Sequence, residues 1–162
     1  MTTTPKPAMH LVTAITALAI ASTPFALHAE QNPANPSVSN VWVKTTTPGS
    51  TVSAAYMQIK SAVPLKLIKA ESTAAGIVEI HDMKMKDGVM EMKALDVLDV
   101  PVGKNIELKP GGTHVMLMNV KKPIYKGDKV PLVLTFTGAD KKPVVVKLEA
   151  IAQESVHRRD TN

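Results

Sequence analysis

The chain has 162 residues, no cysteine, and 19 basic against 14 acidic side chains, a net charge of +5. Without cysteine, disulfide bridges, thiolate zinc sites, the His₂Cys blue-copper centre and a lipid-modified N-terminal cysteine are excluded. The basic residues are scattered and only 3% of residues are aromatic, so we do not expect a nucleic-acid surface, which needs a concentrated basic patch.

Residues 1–29 have the composition of a secretory signal peptide. Lys6 is their only charged side chain, an apolar run extends from Leu11 to Leu27, and small residues lead to Ala29, the predicted cleavage site. The run is short for a membrane span and contains a proline, which favours a cleaved signal peptide. An uncleaved membrane anchor is the alternative. We therefore expect a periplasmic protein with no membrane insertion after cleavage, carrying 18 basic and 14 acidic residues, a net charge of +4.

The remaining chain is predicted to form one domain of all-β class. Residues 30–37 are interpreted as a flexible lead-in, 38–152 as the folded domain and 153–162 as a polar tail. Short apolar runs with period two recur about every ten residues, which predicts a sandwich or barrel of mostly antiparallel strands. Only the segment 73–80 is ambiguous between helix and strand. The predicted strands are residues 41–46, 51–59, 65–71, 76–85, 89–95, 105–110, 113–120, 129–138 and 143–151.

The segment HDMKMKDGVMEM, residues 81–92, contains four of the nine methionines. Its Asp87-Gly88 pair favours a two-residue type I′ turn, which pairs residue 86 with 89 and 83 with 92. Met92 then lies diagonally from His81, within reach of a shared ion. The opposite face is charged, and Lys84 is expected to pair with Glu91. Because side chains alternate along a strand, one face collects Ala94 with His81, Met83, Met85, Met90 and Met92.

A second fragment, THVMLMNV at residues 113–120, follows a glycine-containing turn and has the same character. Alternation places His114, Met116 and Met118 on one face of the predicted strand. Val115 and Leu117 lie on the other face and are the expected core residues. A histidine and methionines therefore share a face in two separate places.

This pairing has two interpretations. Methionines on a strand are usually core filler, and a lone histidine is usually a hydrogen-bonded structural residue. The coupling of histidine to methionine in two separate fragments makes a metal site as good an interpretation as core packing. Thioether sulfur is a soft, neutral donor that suits Cu(I) and has little affinity for Zn²⁺, Mg²⁺ or Ca²⁺, and imidazole adds affinity when it is deprotonated.

The spacing H-x10-M-x21-H-x-M, formed by His81, Met92, His114 and Met116, resembles the motif of the periplasmic CuA chaperone family, PCuAC. The resemblance extends over roughly residues 38–150. It implies a cupredoxin-like β-sandwich that binds one Cu(I) per monomer through these four residues. Among the methionines outside the motif, Met83 is the best candidate for an auxiliary ligand. It also implies delivery to the CuA centre of cytochrome c oxidase, sometimes with a Sco-type partner.

We accordingly expect a monomeric copper carrier that is not an enzyme, whose partner is the CuA subunit of cytochrome c oxidase or a Sco-type protein. Copper buffering or tolerance is one alternative, and a β-sandwich interaction module without metal is another. A copper oxygenase with an N-terminal histidine would require cleavage between Leu27 and His28. The single histidine of the tail, His157, does not make the second copper site that some relatives carry.

Residues outside the four-point motif receive weaker interpretations. Met85, Met90 and Met118 are interpreted as packing or shielding around the ion, with a role as transient ligands as the alternative. The lysines of the loop after residue 120 are interpreted as a solvated face rather than a docking patch; they are Lys121, Lys122 and Lys126.

Overall fold

The computed structural model describes residues 1–2 and 35–155, and the strands lie in the second range. The predicted all-β class is confirmed: residues 35–155 contain ten strands and no helix. No helix in the described residues is therefore long and apolar enough to cross a membrane. The strands are β1 (Ser37–Lys44), β2 (Val52–Lys60), β3 (Leu65–Glu71), β4 (Ala75–Lys86), β5 (Val89–Leu95), β6 (Leu98–Val100), β7 (Asn105–Leu108), β8 (His114–Val120), β9 (Lys129–Thr137) and β10 (Pro143–Gln153).

Several predictions fall outside the described residues. They are the signal peptide beyond residue 2, its cleavage at Ala29, the copper-oxygenase alternative that needs His28 at the N-terminus, and the part of the tail that carries His157. β1 begins one residue before the predicted domain and β10 ends one residue after it.

The strands form one sheet with the order β5-β4-β8-β2-β1-β10-β9-β3-β6, and β7 also pairs with β2. β1 and β10 run parallel, and the other pairs of these strands run antiparallel. β7 and β8 pair with successive parts of β2, from Leu108 opposite Met57 to Val115 opposite Ala55. The loop between β7 and β8 therefore stands beside the middle of β2.

Nine of the ten strands correspond to the predicted runs, including the ambiguous segment, which belongs to β4 from Ala75 onward. The tenth, β6, was not predicted. It has three residues, too few for an alternating pattern to be recognised, and it is held at the sheet edge by pairing with β3.

The core lies between the two halves of the folded-over sheet. Leu117 of β8, Leu67 of β3 and Phe136 of β9 belong to one buried cluster, each with an exposed fraction of 0%. Val115 is also fully buried, so the prediction that Val115 and Leu117 face the core is confirmed. Because the chain has no disulfides, this burial, about 1.5–3 kcal/mol for each large apolar side chain, holds the domain together.

The same alternation directs a second set of side chains away from the core. On β8 this set includes His114 and Met116, on either side of Val115. On β2 it includes Tyr56, which lies between the buried Ala55 and Met57. The outer face of β4, β8 and β2 therefore carries the histidines and methionines of the two fragments.

Candidate metal centre

The β4–β5 hairpin has the predicted register, with Met83 opposite Met92 and Lys86 opposite Val89. Asp87 and Gly88 have φ angles of 50° and 80°, as a type I′ turn requires at both central positions. β4 pairs with β8 only as far as His81. Beyond that residue, in the part of the chain that the structure describes, β4 pairs with no strand other than β5.

One predicted charge pair is wrong. Lys84 is opposite Glu91 in the register, but its ammonium lies 2.7 Å from the carboxylate of Asp82 on the same strand. Asp82 also accepts a hydrogen bond of 2.9 Å from the hydroxyl of Thr113. A carboxylate that is already hydrogen-bonded and partly shielded loses less side-chain entropy on pairing than the exposed Glu91 would.

Hydrogen bonding changes the acidity of this carboxylate. The pKa of Asp82 lies below its usual value, chiefly because of the hydrogen bond from Lys84, with smaller contributions from Thr113 and from the charges of Lys84 and His114. Asp82 therefore remains an anion near the site and ties β4 to the residue that precedes His114.

His81 and His114 are directly opposite each other at the end of the β4–β8 ladder. Their ring centroids are 5.9 Å apart. His114 is buried, with an exposed fraction of 5%, whereas the side chain of His81 is 13% exposed. The pairing of two strands from distant parts of the sequence thus places the two imidazoles side by side on the outer face.

Each nitrogen of His81 has a partner. Nδ1 lies 3.1 Å from Sδ of Met92, and Nε2 lies 2.8 Å from Oε2 of Glu79. A carboxylate only accepts hydrogen bonds, so Nε2 carries the proton that is donated to Glu79. In the neutral ring the lone pair is therefore on Nδ1, facing the thioether of Met92.

His114 is oriented by the loop before β8. Its Nδ1 donates to the carbonyl of Gly112 at 2.8 Å, which leaves the Nε2 lone pair free in the neutral ring. The loop closes through hydrogen bonds from the amide of Lys109 to the carbonyl of Thr113, 2.8 Å, and from Gly112 to Lys109, 3.1 Å. Gly111 has φ +77°, a conformation that favours glycine. The glycine turn thus sets the orientation of His114.

The fourth predicted ligand completes this group. Met116 is opposite Glu79 on β4 and Ala54 on β2, so it shares the outer face with both histidines. Met83, Met92, His114 and Met116 line one cavity of about 340 Å³. His81 adjoins the cavity through Met92. The structure therefore brings the four motif residues together and places Met83 among them.

The remaining methionines behave differently. Met118 is half-buried farther along β8, while Met85 and Met90 have exposed fractions of 65% and 46%. Met85 and Met90 therefore do not pack into the core, and their interpretation as shielding around an ion stays a prediction.

The sequence analysis missed three residues of the site. Glu79, which orients His81, could have been found because it precedes His81 by two positions and so shares its face. The Tyr56 ring lies 6.3 Å from that of His114 and 4.4 Å from that of Trp42, measured between centroids. Burial raises the pKa of Tyr56, so its phenol stays neutral. These two aromatics gave no sequence signal, because β1 and β2 come together only in the folded sheet.

The donor chemistry fits a soft ion. No group of three or more His, Cys, Asp or Glu side chains in residues 35–155 is arranged to hold a metal, whereas the cavity described above is lined by three methionines and one histidine. A larger cavity, of about 470 Å³, lies at the β3–β6 edge, but its lining contains neither histidine nor methionine. The cavity of about 340 Å³ that is lined by methionines and His114 is therefore the candidate metal centre.

Sequence comparisons place the chain in a family. Residues 37–148 match a family model described as "Putative lipoprotein LpqE-like". A Leifsonia xyli protein named "Putative lipoprotein Lxx21020" is 33% identical over 115 residues, covering 69% of this chain and 68% of that one. The "Uncharacterized protein RP573" of Rickettsia prowazekii is 31% identical over 84 residues, 51% of this chain and 46% of that one. The 162 residues contain no cysteine that could carry a lipid.

Solved structures share the fold. The copper-bound PCuAC domain from PmoF2 has a TM-score of 0.59 at 21% identity, covering 74% of this chain and 92% of that one. Apo-DR1885 from Deinococcus radiodurans has a TM-score of 0.57 at 26% identity, covering 91% and 97%. Its Cu(I) form has a TM-score of 0.51 at 26% identity, covering 76% and 79%. The chain therefore belongs to the LpqE-like family, and its β-sandwich is the fold of the PCuAC domains.

Proposed function

We propose that the protein is a periplasmic copper carrier that binds one Cu(I) through His81, Met92, His114 and Met116. The observation that carries this proposal is the contact between His81 and Met92 beside His114, at a cavity that Met116 also lines. The likeness to DR1885, a protein solved with Cu(I) bound, supports it.

The hydrogen bonds select the donor atoms. His81 binds through Nδ1, because Glu79 holds the proton on Nε2, and His114 binds through Nε2, because Gly112 accepts from Nδ1. Two imidazoles and two thioethers form a neutral set, so the site keeps the single positive charge of Cu(I). Hydrogen-bonded partners of this kind fix the tautomer and orientation of metal-binding histidines.

The exposure of the donors determines how the ion leaves. His114 is 5% exposed and Met92 is 46% exposed. An acceptor therefore reaches the ion from the side of Met92, whose neutral sulfur is a weak donor and is readily replaced. The bond from copper to Met92 breaks as a bond to the acceptor forms, and the ion remains Cu(I) throughout.

The proposed recipient is the CuA centre of cytochrome c oxidase, reached directly or through a Sco-type protein. In this role the protein is a carrier and not an enzyme. Buffering would use the same ligands without a specific recipient. Anaerobic mixing of the Cu(I)-loaded protein with an apo CuA domain, followed by separation of the two proteins and copper analysis of each, distinguishes the two: copper recovered with the CuA domain supports delivery, and retention of copper by the carrier supports buffering.

The first test is an anaerobic titration with Cu(I) against a chromophoric chelator. The native protein is expected to remove one equivalent from the chelator, and the Met92→Leu plus His114→Ala variant is expected to remove none. Met118→Leu is the matched control, because it removes a thioether from the strand and face of Met116 but from a position that does not line the cavity.

Two results would contradict the proposal. One is a native protein that fails to compete for Cu(I). The other is a folded double variant that competes as well as the native protein. Either result would favour an interaction module without metal. The thermal unfolding of each variant establishes whether it is folded.

A further inference from the structure

The distal part of the β4–β5 hairpin, residues 82–93, extends beyond the sheet. Within residues 35–155, β4 pairs only with β5 from Asp82 onward, and its side chains are exposed from Lys84 onward. On the part of the sheet before residue 82, one face of β4 packs against the core. Along residues 82–93 the same face carries charged side chains, which are Asp82, Lys84, Glu91 and Lys93. The other face carries only thioethers.

Packing does not account for these thioethers. Met57, a methionine of the core, is 1% exposed, whereas Met85 and Met90 are 65% and 46% exposed. A solvent-exposed strand position is better filled by threonine or a charged residue, and β-branched residues fit a strand better than methionine. The property that methionine adds at these positions is its sulfur.

The sulfurs are arranged in pairs. Met83 is directly opposite Met92, and Met85 is directly opposite Met90. In a two-residue hairpin closed by residues 86 and 89, these are non-hydrogen-bonded positions, at which facing side chains approach most closely. Successive pairs on one face are about 7 Å apart along the strand. The pairs thus form a row from the hairpin tip to His81.

We propose that Met85 and Met90 form a second, weaker Cu(I) site at the hairpin tip, through which the ion enters the inner site. This inference rests on the proposed function. Two neutral thioethers bind a soft monovalent ion, but with half the donor atoms of the inner site. Their exposure makes them the first methionines of the row that a partner meets.

Movement along the row is ligand exchange. A bond from copper to the sulfur of Met83 or Met92 forms as a bond to Met85 or Met90 breaks. The ion stays Cu(I), and no electron or proton is transferred. The weaker outer site favours movement inward when the inner site is empty.

The test uses Ag(I), a redox-inert ion with the charge and softness of Cu(I), in chloride-free buffer. The methyl groups of methionine are labelled with ¹³C and followed by NMR. The first equivalent is expected to shift the methyls of Met92 and Met116, and further Ag(I) to shift those of Met85 and Met90. Met57, in the core, is the internal control and should not move.

The variant Met85→Leu plus Met90→Leu keeps the size and apolar character of both side chains but removes the sulfur. In a calorimetric Ag(I) titration it is expected to lose the second binding step and to retain the first, and it is expected to load the inner site from a Cu(I)–chelator complex more slowly than the native protein. Val89→Ala is the matched control, because it alters an exposed apolar residue of the same turn, 67% exposed, without removing a thioether.

The outcomes separate the two proposals. If the first equivalent leaves Met92 and Met116 unshifted, the proposed function is overturned. If the first step occurs but excess Ag(I) leaves Met85 and Met90 unshifted, or the second step persists in the leucine variant, only the outer site is overturned. An unchanged loading rate in that variant overturns its role in entry.

Discussion

The two faces of β8 carry different chemistry on one backbone. Val115 and Leu117 face the core and are fully buried, whereas His114 and Met116 face outward and line the candidate metal centre. Methionine shows the same contrast between β2 and β5, since Met57 is 1% exposed and Met92 is 46% exposed. Residue type alone therefore does not distinguish a packing residue from a candidate ligand, and the face on which it lies does.

The inner face is expected to control stability. Leu117→Ala should lower the free energy of unfolding by about 2–5 kcal/mol, because it leaves a cavity in a fully buried position. Urea unfolding of the metal-free protein measures this loss. Met118→Leu is the control on the same strand and should cost less than about 1.5 kcal/mol. A small loss at Leu117 would mean that the core tolerates rearrangement and would weaken the comparison.

The outer face is expected to control metal affinity. Met116→Leu should leave the free energy of unfolding nearly unchanged but weaken Cu(I) binding by more than about 100-fold. Loss of a residue that only hydrogen-bonds to a ligand costs up to about 100-fold in metal affinity, and loss of a ligand itself should cost more. Chelator competition measures the affinity, with Met118→Leu as the matched control. Equal affinities for the two variants would remove Met116 from the ligand set.

Glu79 sharpens the comparison, because it shares the face of His81 without belonging to the motif. Glu79→Ala should weaken Cu(I) binding by about 10-fold or more, since the tautomer of His81 is no longer fixed. Glu91→Ala removes an exposed carboxylate from the opposite face of the hairpin and should have no effect on affinity. An unchanged affinity in Glu79→Ala would show that the hydrogen bond does not orient the ligand.

The smallest expected effect concerns Asp82 in the metal-free protein. Its folded-state pKa is lowered, mainly by the hydrogen bond from Lys84, so its contribution to stability is present above the unfolded-state pKa of about 3.9. That contribution is lost as the pH falls through the folded-state value. Asp82→Asn should therefore reduce the loss of stability between pH 6 and pH 3, measured by urea unfolding. An identical loss in both proteins would show that Asp82 does not contribute.

Much of the candidate site was predictable because β-strands have a strict period of two. Asp87-Gly88 specifies a turn, the turn fixes the register, and the register places Met92 beside His81. Alternation places both Asp82 and Glu91 on the face of Lys84, so it does not decide which carboxylate Lys84 pairs with. In the folded protein Asp82 also accepts a hydrogen bond from Thr113, which lies far along the chain.

The sequence by itself determined the all-β class, the hairpin, and the faces on which the histidines and methionines lie, since these depend on local turn chemistry and alternation. Only the tertiary structure decided that β8 pairs with β4 so that His114 is opposite His81, and that Glu79 and the glycine turn fix the two rings. The physical reason is that pairing between distant strands depends on how the whole sheet closes over its core. No local pattern in the sequence encodes that closure.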